Sequence, residues 1–132
     1  MGRIEKDNFL LIGISHKTAP VEIREKFTFD SLNLKIVIDE IYKIEGVSQC
    51  VVLSTCNRTE IYALCSVSPQ KAIEHIDSFI LEKTGEQADF LDNFYHLMGN
   101  DVIEHLFNVT CGIESMIVGE TQILGQVKNA YS

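Results

Sequence analysis

Apolar and polar positions alternate along the chain in blocks that predict strands and helices in turn. The nearly continuous apolar run NFLLIGISH, residues 8–16, is typical of a buried strand. We expect a short helix in the KTAPVEIREKF segment that follows. From Ser31 to Glu45 apolar residues recur at steps of three and four, which predicts a helix with Ser31 as its N-cap and Gly46 as its stop.

The middle of the chain predicts a pair of strands. The runs QCVVLSTC (49–56) and TEIYALCS (59–66) are separated by Asn57 and Arg58, which is the pattern of a hairpin. This interpretation sets Cys56 at the end of a strand.

A second helix is expected from Pro69 to Gly85, followed by a last strand in DNFYHLMG (92–99) and a helix after Gly99. The resulting order, β-α-β-β-α-β, predicts an α+β fold of the ferredoxin-like sandwich type, with additional C-terminal helices. The final segment, 112–132, combines glycines, a helical apolar stripe and a high density of polar residues, and it stops at Ser132 with neither a cap nor a helix breaker. We therefore expect a single domain, 1–132, truncated within a helix.

Composition agrees with one compact domain, since the 132 residues are 45% apolar and 23% charged. No stretch approaches the roughly 20 uninterrupted apolar residues of a membrane span, and the N-terminus does not resemble a signal peptide. A cytoplasmic location without membrane contact is the expectation.

The net charge of -8 argues against indiscriminate binding of nucleic acid through its phosphates. Residues 1–58 are nevertheless balanced, with eight Lys/Arg and eight Asp/Glu, whereas residues 59–132 have three against eleven. A polyanion could still approach the first part of the chain.

Four cysteines, at 50, 56, 65 and 111, form no C-x-x-C pair and no zinc spacing with the histidines, so no metal is predicted. In a reducing cytosol they are expected to be free thiols, with Cys50, Cys65 and Cys111 acting as small buried apolar side chains.

Cys56 stands in a different setting, among polar residues. A thiol becomes a strong nucleophile when a nearby cation, histidine or helix N-terminus stabilises its thiolate, and Arg58 lies two residues away. Thr55, Asn57 and Arg58 offer donors for a carboxylate or an oxyanion. The spacing alone favours an ordinary hairpin tip with an exposed Arg58. His105 borders an apolar helix face, where a histidine is more often an ordinary core-edge residue than a catalyst.

Three blocks together resemble the N-terminal catalytic domain of glutamyl-tRNA reductase: GISHKTAPVEIREKF, LSTCNRTEIY and HLFNVTCGIESMIVGETQILGQVKNAY. The resemblance extends from about residue 8 to the end of the chain. It implies an NADPH-dependent oxidoreductase that converts glutamyl-tRNA(Glu) to glutamate-1-semialdehyde through a cysteine thioester, the first step of tetrapyrrole synthesis by way of 5-aminolevulinate.

The same resemblance implies the site residues. Cys56 matches the nucleophile that attacks the aminoacyl ester, and His105 matches a histidine important for activity, which would activate the thiol or assist the leaving ribose hydroxyl. The positions matching the glutamate-binding residues are Thr55, Asn57, Arg58, Ser115, Glu120, Thr121, Gln122 and Gln126.

Family members also have an NADPH-binding domain and a helical dimerisation domain, which we expect to be absent from this chain. The eight glycines nowhere form the dinucleotide fingerprint G-x-G-x-x-G. The resemblance further implies a homodimer for the full-length enzyme, and glutamate-1-semialdehyde aminomutase as a partner. The chain alone is expected not to reduce its substrate but to hydrolyse glutamyl-tRNA slowly.

Two other classes of function fit parts of the sequence. A cysteine hydrolase of peptides or amides would use a Cys/His pair equally well. A non-catalytic RNA-binding module could share the ferredoxin-like topology, although no Arg/Lys-Gly-Phe type aromatic motif is present and the chain is acidic.

Overall fold

The computed structural model describes residues 8–115, with side chains through Val109, as an antiparallel sheet with helices on both faces. The strands lie in the spatial order β2-β3-β1-β4: β1 (Phe9–Ser15), β2 (Val47–Ser54), β3 (Arg58–Cys65) and β4 (Tyr95–Met98). The helices are α1 (Val21–Arg24), α2 (Ser31–Tyr42), α3 (Pro69–Thr84) and α4 (Asn100–Ser115), with 3-10 helices at Glu25–Phe27 and Ala88–Asn93. The predicted α+β class is confirmed, and the narrower ferredoxin-like assignment stays a prediction.

Strand β1 lies inside the sheet and is buried on both of its faces. Leu10, Ile12 and Ile14 enter one apolar core, while Leu11 enters a second core on the opposite face. Because successive side chains of a strand point to opposite faces, burial on both sides requires an uninterrupted apolar run. This explains why the first strand was recognisable in the sequence.

The two cores are covered by different helices. Helices α2 and α3 supply Val37, Ile41 and Ile76 to the first core, whereas α4 supplies Val102 and Val109 to the second. The side of the sheet that faces α4 is therefore separate from the larger core.

The ends of α2 differ from the prediction at both termini. Asp30, not Ser31, is the N-cap, because its side chain accepts a hydrogen bond from the backbone N–H of Asn33 at 2.9 Å. The helix ends at Tyr42, before the predicted Glu45 and Gly46, since the next residues form short-range bonds, such as Ile44 N–H to Ile41 C=O at 3.0 Å.

Helix α3 matches its prediction. Pro69 is its first residue, after Ser68, whose side chain accepts from the N–H of Lys71. Gly85 follows the last turn at φ 72°, a left-handed conformation that costs glycine little.

The connection between β2 and β3 consists of Thr55, Cys56 and Asn57, and we refer to it as the Cys56 connection. The expected turn at Asn57 and Arg58 is wrong, because Arg58 already pairs with Ser15 of β1, one residue before the predicted start at Thr59, and β2 ends at Ser54, two residues before the predicted end at Cys56. The Thr55 N–H donates to the Arg58 carbonyl at 2.8 Å, which closes the connection. Cys56 therefore lies beyond the strand end.

The last strand is shorter than predicted. Residues 92 and 93 belong to the 3-10 helix Ala88–Asn93, and β4 begins only at Tyr95. Helix α4 then runs through Gly112, which the sequence had suggested as the start of a separate segment. No helix within the described 8–115 range is long and apolar enough to cross a membrane.

Candidate active site

The thiol of Cys56 is exposed on a connection whose backbone is held from several sides. The Arg24 guanidinium donates to the Cys56 carbonyl at 2.6 Å, and the His16 N–H donates to the Asn57 carbonyl at 2.9 Å. Thr55 Oγ1 accepts from the N–H groups of Asn57 and Arg58, at 3.2 and 3.3 Å. The connection is thus fixed, while its thiol stays accessible.

Cys50 and Cys65 are buried, as the sequence predicted. Burial, with a smaller contribution from the negative charge of Asp39, raises the pKa of the Cys50 thiol to about 11. Burial also raises the pKa of Cys65. Neither is suited to nucleophilic attack near neutral pH. The side chain of Cys111 lies outside the described residues.

A buried carboxylate, Glu60, lies four residues after Cys56 and is fully inaccessible to solvent. Its Oε1 accepts from the Tyr62 hydroxyl at 2.9 Å, and its Oε2 accepts from the Tyr95 hydroxyl at 2.6 Å. His105 Nε2 also contacts Oε2, and Arg58 Nη1 lies 3.9 Å from it. We call these five side chains the Glu60 cluster.

The Glu60 cluster follows from the alternation of β3. Arg58, Glu60 and Tyr62 are two residues apart, so all three side chains leave the same face of the strand. That face is the one covered by α4, which supplies His105, and Tyr95 reaches Glu60 from β4. The cluster therefore joins three elements of the fold.

Glu60 is negatively charged at neutral pH in this setting. Burial alone would raise its pKa, but hydrogen bonds from His105, Tyr95 and Tyr62 together outweigh that effect and hold its pKa below the ordinary value. The pKa values of Tyr62 and Tyr95 are raised, mainly by burial and then by the Glu60 charge. Both tyrosines consequently remain protonated donors.

Gly13 makes room for one of these bonds. In the sheet it lies opposite both Glu60 and Tyr95, and the tyrosine ring crosses over it. A Cβ at this position would lie 2.6 Å from Cε2 and 2.9 Å from the hydroxyl oxygen of Tyr95. Only a residue without a side chain permits the ring to reach the carboxylate in this way.

Gly13→Ala is accordingly expected to lower the free energy of unfolding by about 1–3 kcal/mol, because the added methyl group displaces the Tyr95 ring. Urea denaturation followed by circular dichroism would measure the change. In a Tyr95→Ala background the same substitution should cost much less. An equal cost in both backgrounds would show that the ring is not the obstacle.

Arg58 shows a donor that the fold leaves unused. Its side chain is 17% exposed, and its buried Nε has no hydrogen-bond partner among the described residues. A buried donor without a partner costs about 1–3 kcal/mol, so such a group calls for an explanation. A bound carboxylate would satisfy it.

The structure brings together one part of the predicted site. Thr55, Cys56, Asn57 and Arg58 are consecutive, and His105 joins Arg58 through Glu60. The oxygen of Thr55 accepts two backbone bonds, so this residue shapes the connection. The remaining predicted residues lie outside the described side chains: Ser115, Glu120, Thr121, Gln122 and Gln126.

Sequence reasoning missed Gly13, Arg24, Glu60, Tyr62 and Tyr95. The sequence did contain an indication of Glu60, because it lies within the apolar run of a predicted strand. A carboxylate that is buried in such a strand needs a partner for its charge. Arg24 had no comparable signal, because its acceptor lies 32 residues away in the chain. Among the side chains that the structure describes, residues 8–109, no three His, Cys, Asp or Glu are grouped as a metal site would require.

The sequence of this chain is similar to proteins of known family. A family model described as glutamyl-tRNAGlu reductase, N-terminal domain, matches residues 12–132. The chain is 48% identical over 120 residues to a glutamyl-tRNA reductase of Akkermansia muciniphila, covering 91% of this chain and 35% of that protein. It is 43% identical over 122 residues to one of Desulforudis audaxviator, covering 92% of this chain and 27% of that protein.

A solved structure agrees with these relatives. Glutamyl-tRNA reductase from Methanopyrus kandleri matches with a TM-score of 0.60 and 33% identity, over 95% of this chain and 27% of that one. The chain thus spans between about a quarter and a third of the length of these proteins. With a family model matching nearly its whole length, the chain belongs to the glutamyl-tRNA reductase family, as a representative of the N-terminal domain.

Proposed function

We propose that this domain binds glutamyl-tRNA(Glu) and takes its glutamyl group onto Cys56 as a thioester, in the first step of tetrapyrrole synthesis. The observation behind the proposal is an exposed thiol on a fixed connection, two residues from a buried arginine donor without a partner. A nucleophile and an anion-binding group at this spacing suit an acyl group that ends in a carboxylate.

The reaction is an acyl transfer. The Cys56 sulfur attacks the ester carbonyl carbon, a sulfur–carbon bond forms, and the carbon–oxygen bond to the terminal ribose breaks. The ribose oxygen leaves with a proton, and the tRNA is released. A nucleophile held in one position lowers the entropic part of this barrier.

Arg58 is assigned to the side-chain carboxylate of the glutamyl group. A guanidinium pairs with a carboxylate through two parallel hydrogen bonds, and the Nε of Arg58 has no other hydrogen-bond partner among the described residues. We assign the rest of the pocket to the residues that match the family's glutamate-binding positions: Thr55, Asn57, Ser115, Glu120, Thr121, Gln122 and Gln126.

His105 is proposed to act by positioning. Its Nε2 is engaged by Glu60, which in turn lies beside the Arg58 guanidinium. The ring of His105 also packs against that of Tyr95, with 5.3 Å between centroids. Activation of the thiol by that nitrogen would require breaking this contact, so we favour an orienting role over direct proton transfer.

Reduction to glutamate-1-semialdehyde is a proposal for the whole protein. NADPH would supply the hydride there, but this chain lacks the G-x-G-x-x-G pattern that cradles a dinucleotide, and no step through it is assigned to these residues. A homodimer and contact with glutamate-1-semialdehyde aminomutase are likewise proposals for the longer protein.

Incubation of the chain with glutamyl-tRNA(Glu) should produce a glutamyl adduct on the peptide that contains Cys56, detected by mass spectrometry, together with uncharged tRNA. We expect this adduct because the thiol of Cys56 is exposed to solvent and is not part of a disulfide. Uncharged tRNA is the control. Equal affinity for charged and uncharged tRNA without any adduct would instead favour an RNA-binding module, and cleavage of unrelated peptides a cysteine hydrolase.

A further inference from the structure

We propose that Arg24 is a positioning residue for the nucleophile, a role that rests on the proposed acyl transfer to Cys56. Its guanidinium makes two hydrogen bonds to backbone carbonyls in separate parts of the chain. Nε donates to Ala19 at 3.2 Å and Nη1 donates to Cys56 at 2.6 Å. The second of these is a short, charge-assisted bond to the residue that bears the thiol.

Arg24 itself is placed by a well-anchored segment. The N–H of Arg24 donates to the Pro20 carbonyl at 3.1 Å, within the single turn of α1. On either side of this turn Ala19 and Phe27 are buried in the first core. The Phe27 ring packs edge-on against that of Phe94, with 4.9 Å between the ring centroids. The guanidinium therefore projects from a segment whose position the core determines.

The bond to Cys56 completes the restraint of the Cys56 connection. Thr55 is tied to Arg58 through its N–H, and the Asn57 carbonyl is tied to His16. The Cys56 carbonyl accepts from Arg24, which ties the middle residue of the connection to α1. With the peptide that follows Cys56 held in this way, the backbone from which the thiol projects is fixed in position.

Two properties of arginine matter here. Its planar fork presents several N–H donors in a rigid arrangement, so one side chain can bridge two carbonyls, which a lysine ammonium does less well. Its permanently charged guanidinium also contacts the backbone carbonyl of the attacking residue, Cys56. We expect both properties to raise the rate of the chemical step more than the affinity for the tRNA, because the bonds of Arg24 are made to the backbone of this chain.

The test compares the parent chain with Arg24→Ala and Arg24→Lys, and with Lys26→Ala as the matched control. Lys26 also carries a positive charge beside α1, but its ammonium pairs with Glu86, at 3.2 Å. In glutamyl transfer to Cys56, Arg24→Ala should lower the maximal rate about tenfold, with the half-saturating tRNA concentration changed less than about twofold. Arg24→Lys should fall between, and Lys26→Ala should match the parent.

Chemical rescue and hydrogen exchange separate positioning from a general loss of structure. Methylguanidinium at low concentration should restore transfer by Arg24→Ala, whereas methylammonium, of equal charge, should not. The amides of Thr55, Asn57 and Arg58 should exchange about tenfold faster in Arg24→Ala, while amides of α3 keep their parental rates.

The exchange measurement does not depend on the substrate. If the parent chain accepts no glutamyl group, the proposed acyl transfer fails, while faster exchange confined to the Cys56 connection still supports Arg24 as the residue that fixes it. Parental exchange rates in Arg24→Ala, or transfer at the parental rate, would overturn the inference. Faster exchange throughout the chain in both Arg24 variants would also overturn it, in favour of a purely structural role.

Discussion

Cys56→Ser is expected to slow the release of tRNA from glutamyl-tRNA(Glu) on the order of a thousandfold, and to abolish the glutamyl adduct. A serine hydroxyl is far less ionised than a thiol near neutral pH, so it is a much weaker nucleophile. The fold should be unaffected, because the Cys56 side chain is exposed and the backbone bonds of the connection do not involve sulfur. Filter binding of labelled glutamyl-tRNA over time would give the rates.

Cys65→Ala is the matched control for this substitution. It removes a thiol that is buried and bonded to the Asn8 carbonyl, at 3.1 Å, on a strand that also holds the site. Stability should fall modestly, while tRNA release continues at the parental rate. Release by Cys56→Ser as fast as by the parent would refute the role of Cys56 as the nucleophile.

Glu60→Ala is expected to reduce the free energy of unfolding by about 3–5 kcal/mol. The carboxylate is fully buried and bonded to two tyrosine hydroxyls and a histidine, all of which would lose their acceptor at once. The Arg58 charge would also lose its partner. Urea denaturation at neutral pH would measure this difference.

The same carboxylate should make stability dependent on pH in acid. Its folded-state pKa is lower than its ordinary value, so its stabilising effect is complete above an unfolded pKa of roughly 4.3 and is lost as the pH falls through the lower folded value. Glu60→Gln, which cannot ionise, should show a smaller loss of stability between about pH 5 and pH 3 than the parent.

Glu40→Gln provides a control for this acid dependence, since Glu40 pairs at the surface with Lys83, at 2.7 Å. Exposed ion pairs contribute little, so this variant should keep the parental acid dependence. If Glu60→Gln lost as much stability as the parent over the same interval, the acid dependence would have to come from other carboxylates.

Much of the fold was predictable because it rests on local patterns. The apolar run of β1 reflects burial on both faces, and Pro69 and Gly85 mark the two ends of α3 through fixed backbone preferences. The end of the β2–β3 connection was displaced by one residue, since Thr55 closes it with a side-chain oxygen and its own N–H. Asp30 and Ser31 are both good N-caps, and only the bond to Asn33 distinguishes them.

The candidate site was predictable only where it is contiguous in the sequence. Cys56 and Arg58 are near neighbours, so their chemistry could be inferred from one short segment. The buried carboxylate of Glu60, by contrast, is bonded by Tyr95 and His105, which lie 35 and 45 residues further along the chain. No local pattern specifies such contacts, because they depend on which strand and which helix the sheet brings over β3.

Gly13 gives the Glu60 cluster a consequence for sequence change over evolution. Because the Tyr95 ring occupies the space of a side chain at position 13, any larger residue there requires a smaller or differently placed residue at position 95. A change at position 95 would in turn remove one donor from a carboxylate that depends on several. The two positions, 82 residues apart in the numbering, are thus constrained to vary as a pair, and a redesign of this face should treat them as one.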